Sequence, residues 1–463
     1  MAARTAASPR KTATRASARS TYASACPGAA ATAASQAASA STYRSRIRSR
    51  YARKTSESGS SGSTANPERI WRSASSYRPE SASSRARWYA CAADGRGSSD
   101  ISTWCQPAGD RGENRLPALS AAFQGGRVLT PPDDLPEDLL RAALLRDWGL
   151  RVGSLEYRAV GRGSHHWEVT DAEGGRRFVS VDELTTKRLT LTDPLDAAYA
   201  RLRAALGTAR RLREHGRGFV VAPIPTSGGE PLVRVGDRFA LALYPYVDGE
   251  SFRWGAFSSA AHLRGVLDMV LAVHAAPAAA RAHAPVDDFA IPHFDELELG
   301  LAGTGDVPDT GPYAGPAARL LVTHAAPVRR LLARHGELVR AARAQPGRMV
   351  LTHGEPHPGN TMRTVDGWRL IDWDTVRVAP PERDLWLMEP GDGSVLDGYA
   401  EATGAAPLAE MLELYRSWWH LADVAEETSR FRAPHAGTED DDESFTILRS
   451  VLEHIGTLPA ARV

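Results

Sequence analysis

The chain has 463 residues, 42% of them apolar, enough to bury a sizeable core and to form two or three domains. Its formal net charge of +1 hides a split: residues 1–126 carry 19 Lys/Arg against 7 Asp/Glu, and the remainder carries 37 against 48. No run of about 18 apolar residues occurs and no apolar stretch follows the basic N-terminus, so neither a membrane partner nor a secretory signal is expected. The acidic remainder would repel nucleic acid, and its lack of cysteine (Cys26, Cys91 and Cys105 all lie in the basic section) points to a cytoplasmic enzyme rather than a disulfide scaffold.

Residues 1–126 are read as a disordered Ala/Ser/Arg-rich extension, with no acidic residue before Glu57 and too little apolar surface to offset the entropy of ordering. Three readings of it stand open: a nucleic-acid-binding tail, an organelle targeting peptide, or a stretch read from a start codon placed too early. From about residue 127 the pattern changes. Helical spacing predicts a helix over Pro136–Trp148, stopped by Gly149. Strand-like runs follow at Ser154–Val160, His166–Thr170 and Arg176–Val181, the last two joined by a turn at Asp171–Gly175. A helix over Asp193–His215 then precedes strands at Gly218–Ile224 and Arg238–Tyr244. Beyond Gly249 the pattern is mostly helical, as at Ala260–His274 and Pro327–Arg343. The sum is an α+β chain with a small β-rich N-lobe at 127–248 and a larger, mainly α C-lobe at 249–463.

The C-lobe is interrupted at 348–374. The run Met349–Thr352 leads into His353-Gly-Glu-Pro-His-Pro-Gly-Asn360, and Trp368–Ile371 leads into Asp372-Trp-Asp374, with a hairpin signal at Asp366-Gly367 between the two runs. The two acidic positions would then meet at neighbouring strand ends. Such convergence suits phosphoryl transfer, which needs one carboxylate near the acceptor hydroxyl and a second carboxylate with an amide to hold Mg²⁺ on the nucleotide phosphates. His357 reads as a solvated loop residue.

These two motifs, together with Ala379-Pro-Pro-Glu-Arg-Asp-Leu385, resemble the aminoglycoside phosphotransferase and choline kinase family, and most of all its spectinomycin phosphotransferase branch. The resemblance implies a protein-kinase-like two-lobed fold, ATP as donor, Mg²⁺, and a small hydroxylated acceptor, either a metabolite or a cationic aminoglycoside- or aminocyclitol-like antibiotic. By position it implies Glu355 as the catalytic acid with His353 supporting the loop, and Asn360 and Asp372 as metal ligands. Gly161, Gly163 and Ser164 would cover the phosphates, and Tyr244, Tyr246 and Val247 would meet the adenine. Trp419, Asp423, Glu426 and Glu427, spaced along one helical stretch, would form an acceptor wall.

Two positions depart from the family pattern. Glu355 stands where Asp is usual, and its extra methylene moves the carboxylate by roughly 1.5 Å, a displacement that matters when catalysis is mostly positioning. The strand Arg176–Val181 lacks the lysine expected near Ser180, leaving Arg176, Arg177 or Lys187 to supply a cation, with Arg176 read as a surface charge. These departures motivate an alternative, a nucleotide-binding pseudokinase-like module with little or no catalysis.

Overall fold

The computed structural model describes residues 130–459, except 162 and 304–308, and all of these fall in one of two compact units of the chain, Gly109–Val463. The expected extension at 1–126 lies outside the described residues.

A first helix, α1 (Glu137–Trp148), ends where Gly149 takes the left-handed conformation, as the sequence predicts. Five strands follow: β1 (Val152–Tyr157), β2 (Ser164–Asp171), β3 (Arg176–Glu183), β4 (Val233–Val235) and β5 (Phe239–Pro245). They form one antiparallel sheet in the order β1-β2-β3-β5-β4, interrupted in sequence by α2 (Leu195–Glu214) between β3 and β4. Alternation along the strands divides the sheet into two faces. Trp167, Val169, Val179, Val181, Leu241 and Leu243 pack under α1, while Ala240 and Ala242 face the other way, into a core shared with α2 and the second lobe. The expected strand at Gly218–Ile224 does not form. That segment is irregular and makes a single parallel bridge, Val220 to Leu370, because its neighbours are the end of one hairpin strand and Leu243 rather than a free sheet edge.

The larger lobe contains α3 (Ala260–His274), α4 (Phe294–Ala302), α5 (Ala314–Thr323) and α6 (Ala325–Arg343), then α7 (Glu382–Met388), α8 (Ser394–Thr403), α9 (Ala409–Arg432) and α10 (Glu439–Thr457). The acidic run at Glu439 starts α10, where Thr438 and Asp441 form a reciprocal capping box. Short strands lie between the helices: β6 (Glu250–Ser251), β7 (Val350–Thr352), β8 (Thr361–Thr364), β9 (Gly367–Leu370) and β10 (Arg377–Ala379). The hairpin signal at Asp366-Gly367 joins β8 to β9, not β7 to β9, and β7 pairs instead with β10. The eight-residue loop 353–360 consumes the chain between β7 and β8, so that β8 is the strand the turn pairs with β9.

One carboxylate holds that loop. Asp384, in α7 and fully buried, accepts from the backbone N–H of His353 at 2.9 Å and of Gly354 at 2.6 Å, and meets His274 Nε2 at 3.0 Å. Burial opposes its ionisation, but the hydrogen bond and charge of His274, with His353 and Arg383, outweigh it and hold its pKa below the ordinary carboxylate value. A second anchor is α3, where Gly265 lies flat against the Trp368 indole; a Cβ there would sit 2.3 Å from the ring. That ring has nowhere to go, since it is stacked on His262 at 4.3 Å and 6°, and His262 is itself bonded to Thr361 Oγ1 at 2.8 Å.

Two expectations follow. Gly265→Ala, which in an open helix would stabilise by about 1 kcal/mol, should destabilise by roughly 1–3 kcal/mol in urea unfolding; a stabilised variant would show that the indole moves freely. Asp384→Asn should cost about 3–5 kcal/mol at pH 7. Because the folded-state pKa is depressed, the wild-type advantage is present above about pH 4, the unfolded carboxyl value, and is lost as pH falls through the folded value. Unfolding curves measured down the pH range should therefore converge, and a constant gap would count against the carboxylate.

Candidate active site

Strand β7 delivers His353 into a fully enclosed position. Its Nδ1 accepts from the Glu355 backbone N–H at 3.2 Å, so the ring proton sits on Nε2 and donates to the Ile371 carbonyl at 2.9 Å. Burial lowers its pKa and keeps the imidazole neutral. Thr375 Oγ1 donates to the His353 carbonyl at 2.8 Å, and Arg383 bonds Thr352 Oγ1 at 3.0 Å and the Thr375 carbonyl at 2.9 Å. The guanidinium of Arg383 lies against Gly354, whose φ of +106° and lack of a side chain both suit the tight bend before Glu355. His353 is thus a structural post joining two loops, in the position the sequence expects.

The second loop starts with a strained residue. Asp372 has φ +64°, since Trp373 behind it is buried, bonds the Leu370 carbonyl through Nε1 at 2.9 Å and meets the His353 ring edge-on at 4.6 Å. This turn aims Asp372 and Asp374 into the cleft between the lobes. Ile371 N–H donates to the Asn360 carbonyl at 2.9 Å, and Asn360 Nδ2 donates to the Glu355 carbonyl at 3.0 Å. With its amide nitrogen so used, the side-chain oxygen of Asn360 is left without that bond. Asn360, Asp372 and Glu355 therefore do converge.

The N-lobe contributes a lysine from an unexpected place. Strand β3 carries Ser180, as the sequence shows, but the loop after it brings Lys187 Nζ to 2.8 Å from Asp374 and 3.1 Å from Asp182. Burial would lower its pKa, yet the two carboxylates raise it well above the ordinary value. Burial likewise pushes Asp372 well up, helped by Asp374 and Glu355, whereas Asp374 stays below the usual range because Lys187 outweighs its burial. Asp182 also accepts from Ser164 Oγ at 2.7 Å, which ties the glycine-containing turn to this cluster. Four carboxylates here face one lysine, a negative excess that a hard divalent cation would neutralise. Asp372 and Asn360 are oxygen donors of the kind such an ion takes.

Other predicted residues scatter. Gly161 and Gly163 both have positive φ in the turn between β1 and β2. Tyr244 is directed at the acid cluster, and burial followed by Asp182, Asp372 and Asp374 drives its pKa well up. Tyr246 and Val247 line a separate hollow with the β8–β9 turn, and Tyr246 lies 3.5 Å beneath the Arg176 guanidinium. Arg176 pairs with Glu168 and Asp248 at the surface, and Arg177 is also peripheral. On α9, Trp419 stacks on Trp254 at 5.5 Å and 23°, and Trp254 meets His357 at 4.1 Å. His357 is consequently not a solvated loop residue: Trp254 packs over it, and its Nε2 lies 3.8 Å from the Glu355 carboxylate. The expected acid wall is divided, since Glu426 is exposed, Asp423 half-buried and Glu427 buried.

Asp182, Asp384 and Trp254 were not singled out from sequence. Asp182 had a signal, because period-two spacing puts it on the same strand face as Ser180. Asp384 sits inside the quoted 379–385 motif but acts 30 residues from its partners, and nothing local marks Trp254.

Comparison with known proteins identifies the family and the fold. Residues 156–425 match the family described as "Phosphotransferase enzyme family". Protein StrN of Streptomyces griseus is 34% identical over 253 residues, which is 52% of this chain and 74% of that protein. The crystal structure of spectinomycin phosphotransferase APH(9)-Ia with ADP and spectinomycin superposes with a TM-score of 0.52 at 16% identity, covering 69% of this chain and 97% of that one. At that identity the likeness speaks for the fold, and the two-lobed, protein-kinase-like α+β architecture expected from sequence is the one found. Since the family match spans more than half of its length, the chain belongs to the phosphotransferase enzyme family and is a phosphotransferase.

Proposed function

We propose that the protein transfers the γ-phosphoryl group of ATP, with Mg²⁺, to a hydroxyl of a small metabolite or of an aminoglycoside- or aminocyclitol-like antibiotic. The observation that carries this reading is the convergence of Lys187, Asp374, Asp372, Asn360 and Glu355 on one face of the interlobe cleft. Bound Mg²⁺ would neutralise charge between the donor phosphates. Asp372 and Asn360 would hold it, and Lys187 would offer the phosphates a fixed positive charge whose position Asp182 and Asp374 determine. The turn Gly161–Ser164 covers the phosphates, and Tyr244 borders the nucleotide from the hinge strand. Glu355 orients the acceptor hydroxyl and takes its proton, while His353 keeps the loop in place without titrating. Catalysis is then chiefly positioning and charge neutralisation.

The pseudokinase alternative rested on Glu355 and on the missing strand lysine. The two ion pairs of Lys187 favour the catalytic reading, because they supply the charge from a different element. The acceptor lies beside Glu355, against Trp254, Trp419 and His357, with Asp423 and Glu426 further along α9. The likeness to the spectinomycin enzyme supports the antibiotic side of this proposal. The acidic balance of residues 127–463 favours a cationic acceptor.

Asp372→Asn should abolish Mg²⁺-dependent transfer in a screen of aminocyclitols and small alcohols while leaving thermal unfolding intact; retained turnover would remove the metal assignment. Glu355→Asp should lower kcat by about a hundredfold if the loop is fitted to the longer side chain. A variant as fast as the wild type would mean that the loop carries no such adjustment.

A further inference from the structure

The cleft face of the N-lobe sheet contains a polar side chain that no part of the proposed mechanism uses. Strand register puts His166 directly opposite Ser180, and Ser180 opposite Ala242. This is the row in which a strand lysine would stand, and the neighbouring rows carry Asp182 on one side and Phe178 with Tyr244 on the other. The small Ser180 and Ala242 side chains leave space that the His166 ring enters. There it stacks on Phe178 at 5.3 Å and 26°.

The ring is positioned but not satisfied. Its Nδ1 is buried with no hydrogen-bond partner among the described residues. An N–H at Nδ1 would be enclosed with nothing to accept it, so the proton belongs on Nε2. That nitrogen lies beneath the glycine turn, 3.4 Å from where a Cβ on Gly161 would be. Burial holds the pKa at about 4, so the ring is a neutral donor at physiological pH and brings no charge of its own.

We infer that His166 is a donor-site residue that gives an Nε2–H hydrogen bond to the phosphate chain of the nucleotide beneath the Gly161–Gly163 turn. This inference rests on the proposed nucleotide site and deepens it. The work of one strand lysine is divided here between two residues: Lys187 supplies charge from the loop after β3, and His166 supplies a directional hydrogen bond from the strand row. The ligand class it recognises is a nucleoside di- or triphosphate, through its phosphates and not its base.

Calorimetric titration of the full chain with Mg-ATP, Mg-ADP and adenosine tests this. His166→Phe keeps the ring stacked on Phe178 and removes the donor, so it should weaken ATP and ADP binding by roughly tenfold or more and leave adenosine unchanged. His166→Gln, which retains an N–H, should recover part of the loss. Equal losses for ATP and adenosine would overturn the inference in favour of base stacking, and unchanged ATP affinity in both variants would also overturn it. If His166→Phe does not fold, the imidazole ¹⁵N resonances of the wild-type chain decide: Nε2 should shift with Mg-ADP and not with adenosine, and an unmoved resonance refutes the contact. A wild-type chain that binds no nucleotide would defeat the proposed function as well, whereas normal wild-type binding matched by His166→Phe would defeat only the role of His166.

Discussion

The cleft depends on a single charge balance. Asp182, Asp372 and Asp374 are drawn together from the N-lobe sheet and from the second lobe, and among the described residues it is Lys187 that answers them. Desolvated carboxylates repel one another and are tolerated only when paired or neutralised. Lys187 meets that demand for Asp374 and Asp182, and in doing so links the loop after β3 to the loop after β9. Asp372 is left under-compensated, which is the condition that makes an oxygen-ligated cation welcome there. The same balance explains why a lysine on the strand row is dispensable: its charge already stands in the cleft.

Around this cluster the groups that hold the loops are kept neutral or fully bonded. His353 is enclosed, uncharged and bonded at both nitrogens, so it transmits position without changing state. Asp384 is ionised, but it spends its lone pairs on two backbone amides and His274. The glycine at 354 leaves room for Arg383, and Trp373 forces the unusual backbone of Asp372. Backbone strain thus falls on Asp372, which faces the cleft, while His353 and Asp384 behind it are fully bonded.

His357 and Trp254 bear on the one substitution that the sequence makes in its motif. The longer Glu355 side chain has an imidazole within 3.8 Å, and that imidazole is clamped by an indole from the loop after β6. A longer carboxylate arm has more rotamers to lose, and a neighbour that limits them restores part of the positioning that an aspartate would have by its shortness. The aromatic contact continues to Trp419 on α9.

Sequence by itself determined the elements whose signals are local. The helix ending at Gly149, the strands β2 and β3 with their turn, α3, and the motif 353–374 were legible because periodicity, turn residues and two fixed spacings act over a few residues. Resemblance in those spacings carried the two-lobed fold. What tertiary structure alone decided involves partners far apart in the chain. The segment 218–224 failed to become a strand because its neighbour is Leu370, and β7 chose β10 over β9 because a loop intervened. Lys187 reaches Asp374 across 187 residues, Asp384 holds a loop 30 residues upstream, and His166 faces Ser180 only once β2 and β3 are in register. The cation that faces the two motifs comes from outside both, since the energy of a buried charge depends on what surrounds it in space and not on what precedes it in the chain.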